Sequence, residues 1–388
     1  MTRFATRIGW LRKSGGMRSR LAGLLLALVM AAPAASEPIR VTDLSGREIT
    51  VAAPAHRIVL GSWVSMDAIS LLDSNPLSLV VAWGMGGSNE IQPEILGKKF
   101  PEIGKLPVIG RGTVDSMSVE AILAQRPDLL VLSKFDAVRF SGSDASAVPQ
   151  IAQLQAAGVP VVVVDFYLDP LANTEPSLRI LGQLTGRSAQ AEAFLSFYKE
   201  HMDGIRKRLA NISDDKRPSV FLHAFAGRRE CCFSAGNGTL DGLVRLAGGH
   251  NIGADLLRTA IGQVSLESVL KRNPDVYIAT AVGNGATAGF ALGIGVSDEQ
   301  ARRGFAALLR DRNESAIGAV ERGQAFGLWH LFVHTPLHVV AAEVLAKWLH
   351  PDLFSDVDPA RTMATINTRY LAAPVEGTLW TGPATKTP

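Results

Sequence analysis

Two adjacent cysteines, Cys231 and Cys232, are the only cysteines among the 388 residues of the chain. They follow the arginine pair Arg228 and Arg229 in the segment R-R-E-C-C-F-S-A-G. In an oxidising compartment such thiols can form a disulfide, whereas thiolates are ligands for soft metals. A thiolate metal site would need further cysteines, which the chain lacks. The pair therefore predicts a vicinal disulfide that shapes a binding loop beside the arginines, with two reduced thiols as the alternative.

Three histidines, His330, His334 and His338, recur at four-residue spacing, which on one helix would give a shared face for binding metal. Thr335-Pro336 between them is typical of an N-cap followed by proline at the first helical position. A helix that begins there leaves the three histidines on no common face. The sequence therefore predicts no histidine metal site and no cofactor.

Sequence motifs for enzymatic chemistry are absent: there is neither G-x-S-x-G nor the phosphate-binding G-x-x-x-x-G-K-[ST]. Cys232 with a nearby histidine is a candidate nucleophile pair. We therefore expect a binding protein, with an enzyme on a similar scaffold as the remote alternative.

The elements that carry these residues are indicated by an internal repeat. Residues 118–133, S-V-E-A-I-L-A-Q-R-P-D-L-L-V-L-S, align without a gap on residues 265–280, S-L-E-S-V-L-K-R-N-P-D-V-Y-I-A-T. In each copy a serine caps a short helix that has a glutamate in its first turn, and a proline ends it. The apolar run that follows is typical of a parallel strand covered on both faces. Two α/β units of similar build are therefore predicted.

Further patterns extend this scheme. The pairs Ile122-Leu123 and Val269-Leu270 are expected to form the buried faces of the two short helices. Between the halves, apolar residues at a spacing of three to four predict an amphipathic helix over 188–209. Other apolar runs predict strands at 57–60, 79–83, 159–166, 219–225 and 324–329. The predicted fold class is α/β: two similar parallel-sheet α/β lobes joined by a single long helix, with the ligand cleft between them.

The N-terminus has the three parts of a secretory signal peptide. Six basic residues and no acid precede Glu37, an apolar run covers 21–32, and small residues follow it. This run is shorter than the roughly 20 residues that span a bilayer. No cysteine follows it for lipid attachment, so a free periplasmic protein is expected, cleaved near Ser36 and translated from Met1 or Met17. The predicted divisions are a signal peptide (1–36), an N-terminal lobe (37–185), a connecting helix (186–213) and a C-terminal lobe (214–388).

The charge of the mature chain argues against a nucleic-acid partner. The full chain has a formal net charge of +3, and removal of the six basic residues of the leader leaves −3. A nucleic-acid surface needs a basic patch or stripe, and the basic excess lies in the leader alone.

The repeat, the segment A-G-G-H-N-I-G (247–253) and the segment W-H-L-F-V-H-T-P-L-H (329–338) together resemble the periplasmic binding proteins of iron–siderophore, haem and cobalamin ABC importers. The resemblance covers nearly the whole mature chain. It implies a monomer that binds a small-molecule iron complex and delivers it to an ABC permease, with its ATPase, in the inner membrane. In that family an acidic residue on each lobe docks against permease arginines. The matching positions here are Glu120 and Glu267.

Loops at the carboxyl ends of the strands are expected to face the ligand. Their residues mix aromatic rings with cations, which suits a large ferric siderophore that carries anionic oxygens. Haem, cobalamin, molybdate and a bare metal ion are the alternatives; Tyr167 or His330 would supply an axial ligand to haem. The candidate residues are Ser62, Trp63, Trp83, Met85, Arg111, Lys134, Phe135, Phe166, Tyr167, Phe225, Arg228, Arg229, Cys231, Cys232, Gln263, Trp329 and His330.

Overall fold

The computed structural model of the protein describes residues 37–84, 92–110, 116–141, 148–229, 231–283 and 290–382. The predicted signal peptide and two of the candidate ligand residues, Met85 and Arg111, lie outside these ranges.

The first half of the chain builds a parallel sheet. Its elements are β1 (Ile39–Thr42), β2 (Glu48–Val51), β3 (Ile58–Leu60), α1 (Ser65–Leu72), β4 (Val80–Trp83), α2 (Gln92–Lys99), α3 (Val119–Ala124), β5 (Leu129–Ser133), α4 (Lys134–Ser141), α5 (Pro149–Ala156), β6 (Val161–Val164) and α6 (Pro170–Leu184). β1 and β2 form an antiparallel ribbon. The other strands form one parallel sheet in the order β4-β3-β5-β6.

The apolar runs of this sheet are buried on both faces. In β5, Leu129 and Val131 face one hydrophobic cluster, whereas Leu130 and Leu132 face another. Because successive side chains of a strand point to opposite faces, only an unbroken apolar run satisfies both clusters. The prediction of a doubly covered strand is confirmed.

The long helix α7 spans Ser188–Leu209, which are the predicted bounds. Its buried side chains are Ala191, Phe194, Leu195, Tyr198, Met202, Ile205 and Leu209. Basic residues fill its last turn, where the helix dipole favours positive charge. The helix follows every strand of the first sheet and precedes every strand of the second.

The second half builds a larger sheet. Its elements are β7 (Ser219–His223), β8 (Phe233–Ala235), α8 (Thr239–Leu246), β9 (His250–Asn251), α9 (Ile252–Leu256), β10 (Ile261–Gln263), α10 (Leu266–Arg272), β11 (Val276–Ala281), β12 (Gly293–Ile294), α11 (Asp298–Leu309), α12 (Arg312–Ser315), α13 (Gly318–Glu321), β13 (Ala325–Trp329), α14 (His338–Leu349), α15 (Pro359–Arg369), β14 (Gly377–Thr378) and β15 (Trp380–Thr381). The strand order is β10-β8-β7-β11-β13-β15, and β9 pairs with β7.

This second sheet is parallel only at its centre. β7, β11 and β13 are parallel neighbours, whereas β8, β10 and β15 pair antiparallel. β8 follows β7 after a loop of nine residues, too short for the crossover that a parallel pair requires. The expected α/β class with a parallel sheet in each half is confirmed, and the antiparallel strands are additions to it.

One sequence prediction about the repeat was wrong. Ile122 and Val269 are fully buried, but Leu270 is 39% exposed. The helix α10 has only seven residues, so a single apolar position per turn reaches the sheet and the next residue points to solvent. The two capping serines behave as predicted: Ser118 Oγ accepts from Ala121 N and Ser265 Oγ accepts from Ser268 N.

The last large helix, α14, begins at His338, two residues later than predicted. His330–His334 form a 3-10 turn, and Thr335 ends it, with its backbone N–H donating to Phe332 O. The Thr335 hydroxyl accepts from Leu337 N at 3.3 Å, as a capping side chain does. As the sequence predicted, the three histidines at four-residue spacing share no continuous α-helix.

The core is continuous from one sheet to the other. Pro38–Pro388 form one compact unit. A single cluster of buried side chains includes residues of the first sheet, the inner face of α7 and the second sheet. Among the described residues, none of the helices combines the length and apolar character needed to cross a bilayer.

Candidate functional site

A row of aromatic and imidazole rings lies between the carboxyl ends of the two sheets. Successive ring centroids are separated by 4.9 Å for Phe135–Tyr167, 4.1 Å for Tyr167–His334, 5.9 Å for His334–His330 and 4.0 Å for His330–Phe225. The Tyr167 and His334 planes are only 7° from parallel. We call these five side chains the ring row. It joins side chains from both halves of the chain.

Each ring stands where a parallel strand ends. Phe135 follows β5, Tyr167 follows β6, Phe225 follows β7, and both histidines follow β13. Carboxyl ends of parallel strands share one edge of a sheet, so side chains distant in sequence converge there. Phe135, Tyr167, Phe225 and His330 were predicted from this rule.

Tyr167 is held by a turn built on Asp165. The Asp165 carboxylate is fully buried. Its Oδ1 accepts from the backbone N–H groups of Tyr167 (2.9 Å) and Leu168 (2.8 Å). Its Oδ2 accepts from Asp169 N (3.0 Å) and Asn173 Nδ2 (2.8 Å). Hydrogen bonds to an ionised acceptor are stronger than neutral ones, so four of them fix the backbone that carries the Tyr167 ring.

On the second sheet, Thr280 links two rings of the row. Its hydroxyl lies 2.9 Å from His330 Nδ1 and accepts from Phe225 N–H at 3.2 Å. Phe225 has a φ of 53°, which is unusual for a residue other than glycine. Thr280 is fully buried at the end of β11, so it sets the position of Phe225 and His330 from the interior.

Both histidines of the row are held neutral at physiological pH. Burial lowers the pKa of His330 to about 3, with a smaller contribution from the neighbouring His334. Burial also lowers the pKa of His334 to about 4. The His330 side chain is enclosed, at 4% exposed, whereas His334 is half-buried and stacks on Tyr167.

The cysteine loop borders the ring row at Phe225. Cys231 and Cys232 are bonded to each other, with an S–S distance of 1.96 Å and a cis peptide bond between them. Cys232 is buried, and its carbonyl accepts from Val264 N–H at 3.0 Å, which ties the loop to β10.

The arginines of this loop are exposed. The Arg229 guanidinium lies 5.3 Å from the centroid of the Phe233 ring, and Arg228 is exposed beside it. The backbone N–H groups of Arg228 and Arg229 both donate to Phe225 O, so the two guanidinium groups supply positive charge next to this end of the ring row.

Several predicted residues lie in the core instead of on an open surface. These residues, each 5% exposed or less, are Ser62, Trp63, Trp83, Phe166, Cys232 and His330. Trp329 is 1% exposed and packs against Phe332 at 5.2 Å, so the prediction that it faces the ligand is not supported. The large indole rings of Trp63, Trp83 and Trp329 gain more free energy from burial than smaller side chains do, which explains why they lie in the core. Lys134 is half-buried, and Gln263 is exposed at the end of β10.

Sequence reasoning missed three residues of this region. His334 stacks on Tyr167, Thr280 bridges two rings, and the Thr239 hydroxyl donates to Tyr167 O. The strand-end rule would have nominated Thr280, which lies at the end of β11. Nothing in the sequence indicates that Thr239 reaches the loop after β6.

The predicted docking residues occupy matching places. Glu120 and Glu267 are exposed in the first turns of α3 and α10. A backbone hydrogen bond and the Ser118 hydroxyl lower the pKa of Glu120. Each helix directly precedes a central parallel strand of its sheet, so the two carboxylates are equivalently presented.

Comparisons with known proteins agree with this architecture. The family model described as periplasmic binding protein matches residues 72–328. A cobalamin-binding protein of Halobacterium salinarum is 25% identical over 254 residues, which are 63% of this chain; the match spans 59% of that protein's length.

Among solved structures, the TroA-like periplasmic binding protein FepB from Veillonella parvula has a TM-score of 0.78 at 22% identity, covering 89% of this chain and 100% of that one. A periplasmic heme binding protein from Pseudomonas aeruginosa has a TM-score of 0.54 at 20% identity, covering 87% and 100%. These similarities establish the fold. Because the family model matches more than half of the 388 residues, the chain belongs to the periplasmic binding protein family.

Proposed function

We propose that the protein binds a ferric siderophore against the ring row and delivers it to an ABC permease in the inner membrane. The observation that carries the proposal is the ring row itself, with Arg228 and Arg229 at its edge. Rings cover the organic scaffold of a chelate, and guanidinium groups bind carboxylate or phenolate oxygens in pairs. The iron is part of the cargo, so the protein needs no resident cofactor.

A corrinoid or haem is the second candidate. The curated relative from Halobacterium salinarum is named for cobalamin binding. The neutral imidazoles of His330 and His334 and the phenol of Tyr167 are groups that ligate iron or cobalt. Molybdate fits less well, because a small oxyanion needs a polar pocket and not a row of rings.

The first experiment is a titration of the protein purified after export, followed by tryptophan fluorescence. The panel contains ferric hydroxamate, catecholate and carboxylate siderophores, haemin, cobalamin and molybdate, with free Fe³⁺ and Zn²⁺ as controls. The proposal predicts saturable quenching by one class of ferric siderophore and none by Fe³⁺ alone. Saturation by haemin or cobalamin alone would replace the ligand and keep the transport role.

Variants then test the contribution of the arginines. Arg228→Gln and Arg229→Gln should each weaken binding of the selected chelate by about tenfold, as expected for the loss of a charge-assisted hydrogen bond. Arg303, 75% exposed on α11, provides the matched control, and Arg303→Gln should bind like the wild type. Equal affinity in all variants would remove the arginines from the site.

Delivery is proposed to use Glu120 and Glu267. One exposed carboxylate on each half gives a permease with complementary arginines two contacts that fix orientation. We further propose that the exported protein is a periplasmic monomer, released from its leader near Ser36. Mass spectrometry of its N-terminus and sedimentation measure these two properties directly.

A further inference from the structure

A cavity of about 350 Å³ lies beside the C-terminal half of α7. It is lined by Phe197, His201 and Gly204 of α7, by Glu343 of α14, and by Phe354 and Thr362 further along the chain. None of the five rings of the ring row lines it. It is therefore a different site from the proposed siderophore site.

Glu343 places an oxygen in the wall of this cavity that needs a hydrogen-bond donor. Its side chain is only 5% exposed. The Oε1 atom lies 2.5 Å from His201 Nδ1, but the buried Oε2 atom has no hydrogen-bond partner within the described ranges. Burying a carboxylate oxygen without a hydrogen-bond donor costs free energy of folding. No described residue donates to this oxygen, so a ligand that did so would remove the cost.

Four carboxylates line the wall, together with the guanidinium groups of Arg208 and Arg361. A carboxylate only accepts, so the Nδ1–H of His201 donates to Glu343. The Thr362 and Thr365 hydroxyls donate to backbone carbonyls, which leaves their lone pairs available. Arg208 lines the cavity too, but its guanidinium donates to Asp356 and to Leu353 O.

Charge and shape complete the description of the ligand. Four carboxylates and two guanidinium groups line the cavity, and their formal charges sum to −2; these groups are Glu200, Glu343, Asp356, Asp358, Arg208 and Arg361. The Phe197 and Phe354 rings supply apolar wall. In the described part of the chain, no three His, Cys, Asp or Glu side chains are grouped as for a metal ion.

We propose that this cavity is a binding site for a small organic ammonium ion with a short apolar body. The ammonium donates to Glu343 Oε2, and the apolar part lies against the phenylalanines. The proposal does not depend on the siderophore assignment, because the two sites share no side chain among those named for either.

The test is calorimetric titration of the exported protein with phenethylammonium chloride, with 2-phenylethanol as the neutral analogue. The expected result is saturable one-to-one binding of the amine and none of the alcohol. Glu343→Gln should weaken binding by about tenfold or more, because it removes the charge that the ammonium faces. Glu299→Gln is the control: this carboxylate is 83% exposed on α11 and does not line the cavity, so the variant should bind like the wild type.

A filling variant keeps the test informative if Glu343→Gln fails to fold. A Cβ at Gly204 would have no atom within 4 Å, so Gly204→Leu places a side chain in the cavity without a clash. Leucine also favours the helix more than glycine does. Gly204→Leu should fold and abolish amine binding. Absence of saturable binding to the wild type, or unchanged binding to Gly204→Leu, would overturn the proposal.

Discussion

Replacing Thr280 with valine tests whether its hydroxyl organises the ring row. Valine keeps the volume and the β-branched shape of threonine, so no cavity forms in β11. The change leaves His330 Nδ1 and the Phe225 N–H without the partners that they have at 2.9 and 3.2 Å. An unsatisfied buried polar group costs about 1–3 kcal/mol. Because Phe225 is only half-buried, we expect a total loss of about 2–4 kcal/mol.

The assay is urea unfolding followed by far-UV circular dichroism. Thr185→Val is the matched control, since Thr185 is equally buried but its hydroxyl donates to Leu181 O, which already accepts the Thr185 backbone N–H. That variant should lose about 1 kcal/mol or less. The reasoning is refuted if Thr280→Val is destabilised no more than Thr185→Val. Thr280→Val should also weaken binding of whichever chelate saturates the wild-type protein.

Three further predictions concern pH, docking and packing. Unfolding should become easier as the pH falls below 6.5, because the unfolded chain then takes up protons at four histidines whose pKa burial lowers to about 3–4: His223, His330, His334 and His338. Burial raises the pKa of Glu314 to about 7, which offsets one of these protons between pH 4.5 and 7. Near pH 5 the unfolded chain therefore binds about three more protons than the folded protein, so the free energy of unfolding falls by about 4 kcal/mol per pH unit as the pH is lowered. Equal urea midpoints at pH 7.5 and 5.5 would contradict this. Glu120→Arg with Glu267→Arg should abolish uptake of ⁵⁵Fe-labelled chelate by cells while binding persists, whereas Glu299→Arg on α11 should leave both intact. Gly84→Ala should destabilise the protein by about 1–3 kcal/mol, because its Cβ would lie 2.2 Å from Gly61 O. Gly97→Ala is the control and should not destabilise the protein, because the space around its Cβ is open. Thermal unfolding compares the two variants.

The sequence predicted regular elements best where one periodic pattern ran without interruption. The apolar face of α7 repeats over its whole length, so both of its ends were predicted. The repeat predicted both capping serines, because an N-cap is a local interaction within three residues. The start of α14 was missed because a 3-10 turn and a helix share the same local residue preferences, and tertiary packing decides between them.

Site residues were predictable only as far as the strand-end rule reaches. That rule found four of the five rings, but it treated the indoles as equal candidates although Trp329 is enclosed by the core. The stacking of His334 on Tyr167 joins residues 167 positions apart, and no local pattern encodes such a contact. The cavity at Glu343 was likewise missed, because Glu343 and His201 are 142 positions apart.

The connecting helix has a practical consequence for biosensor design. Its 22 residues extend about 33 Å as one rod, with a buried face that packs into the common core. A rod held in this way resists bending, so ligand capture should change the separation of the two sheets only slightly. A pair of dyes on opposite halves would therefore give a weak energy-transfer signal. A single environment-sensitive fluorophore next to the Tyr167–His334 stack should report occupancy far better if the proposed site is correct, because the ligand would then change the surroundings of that stack.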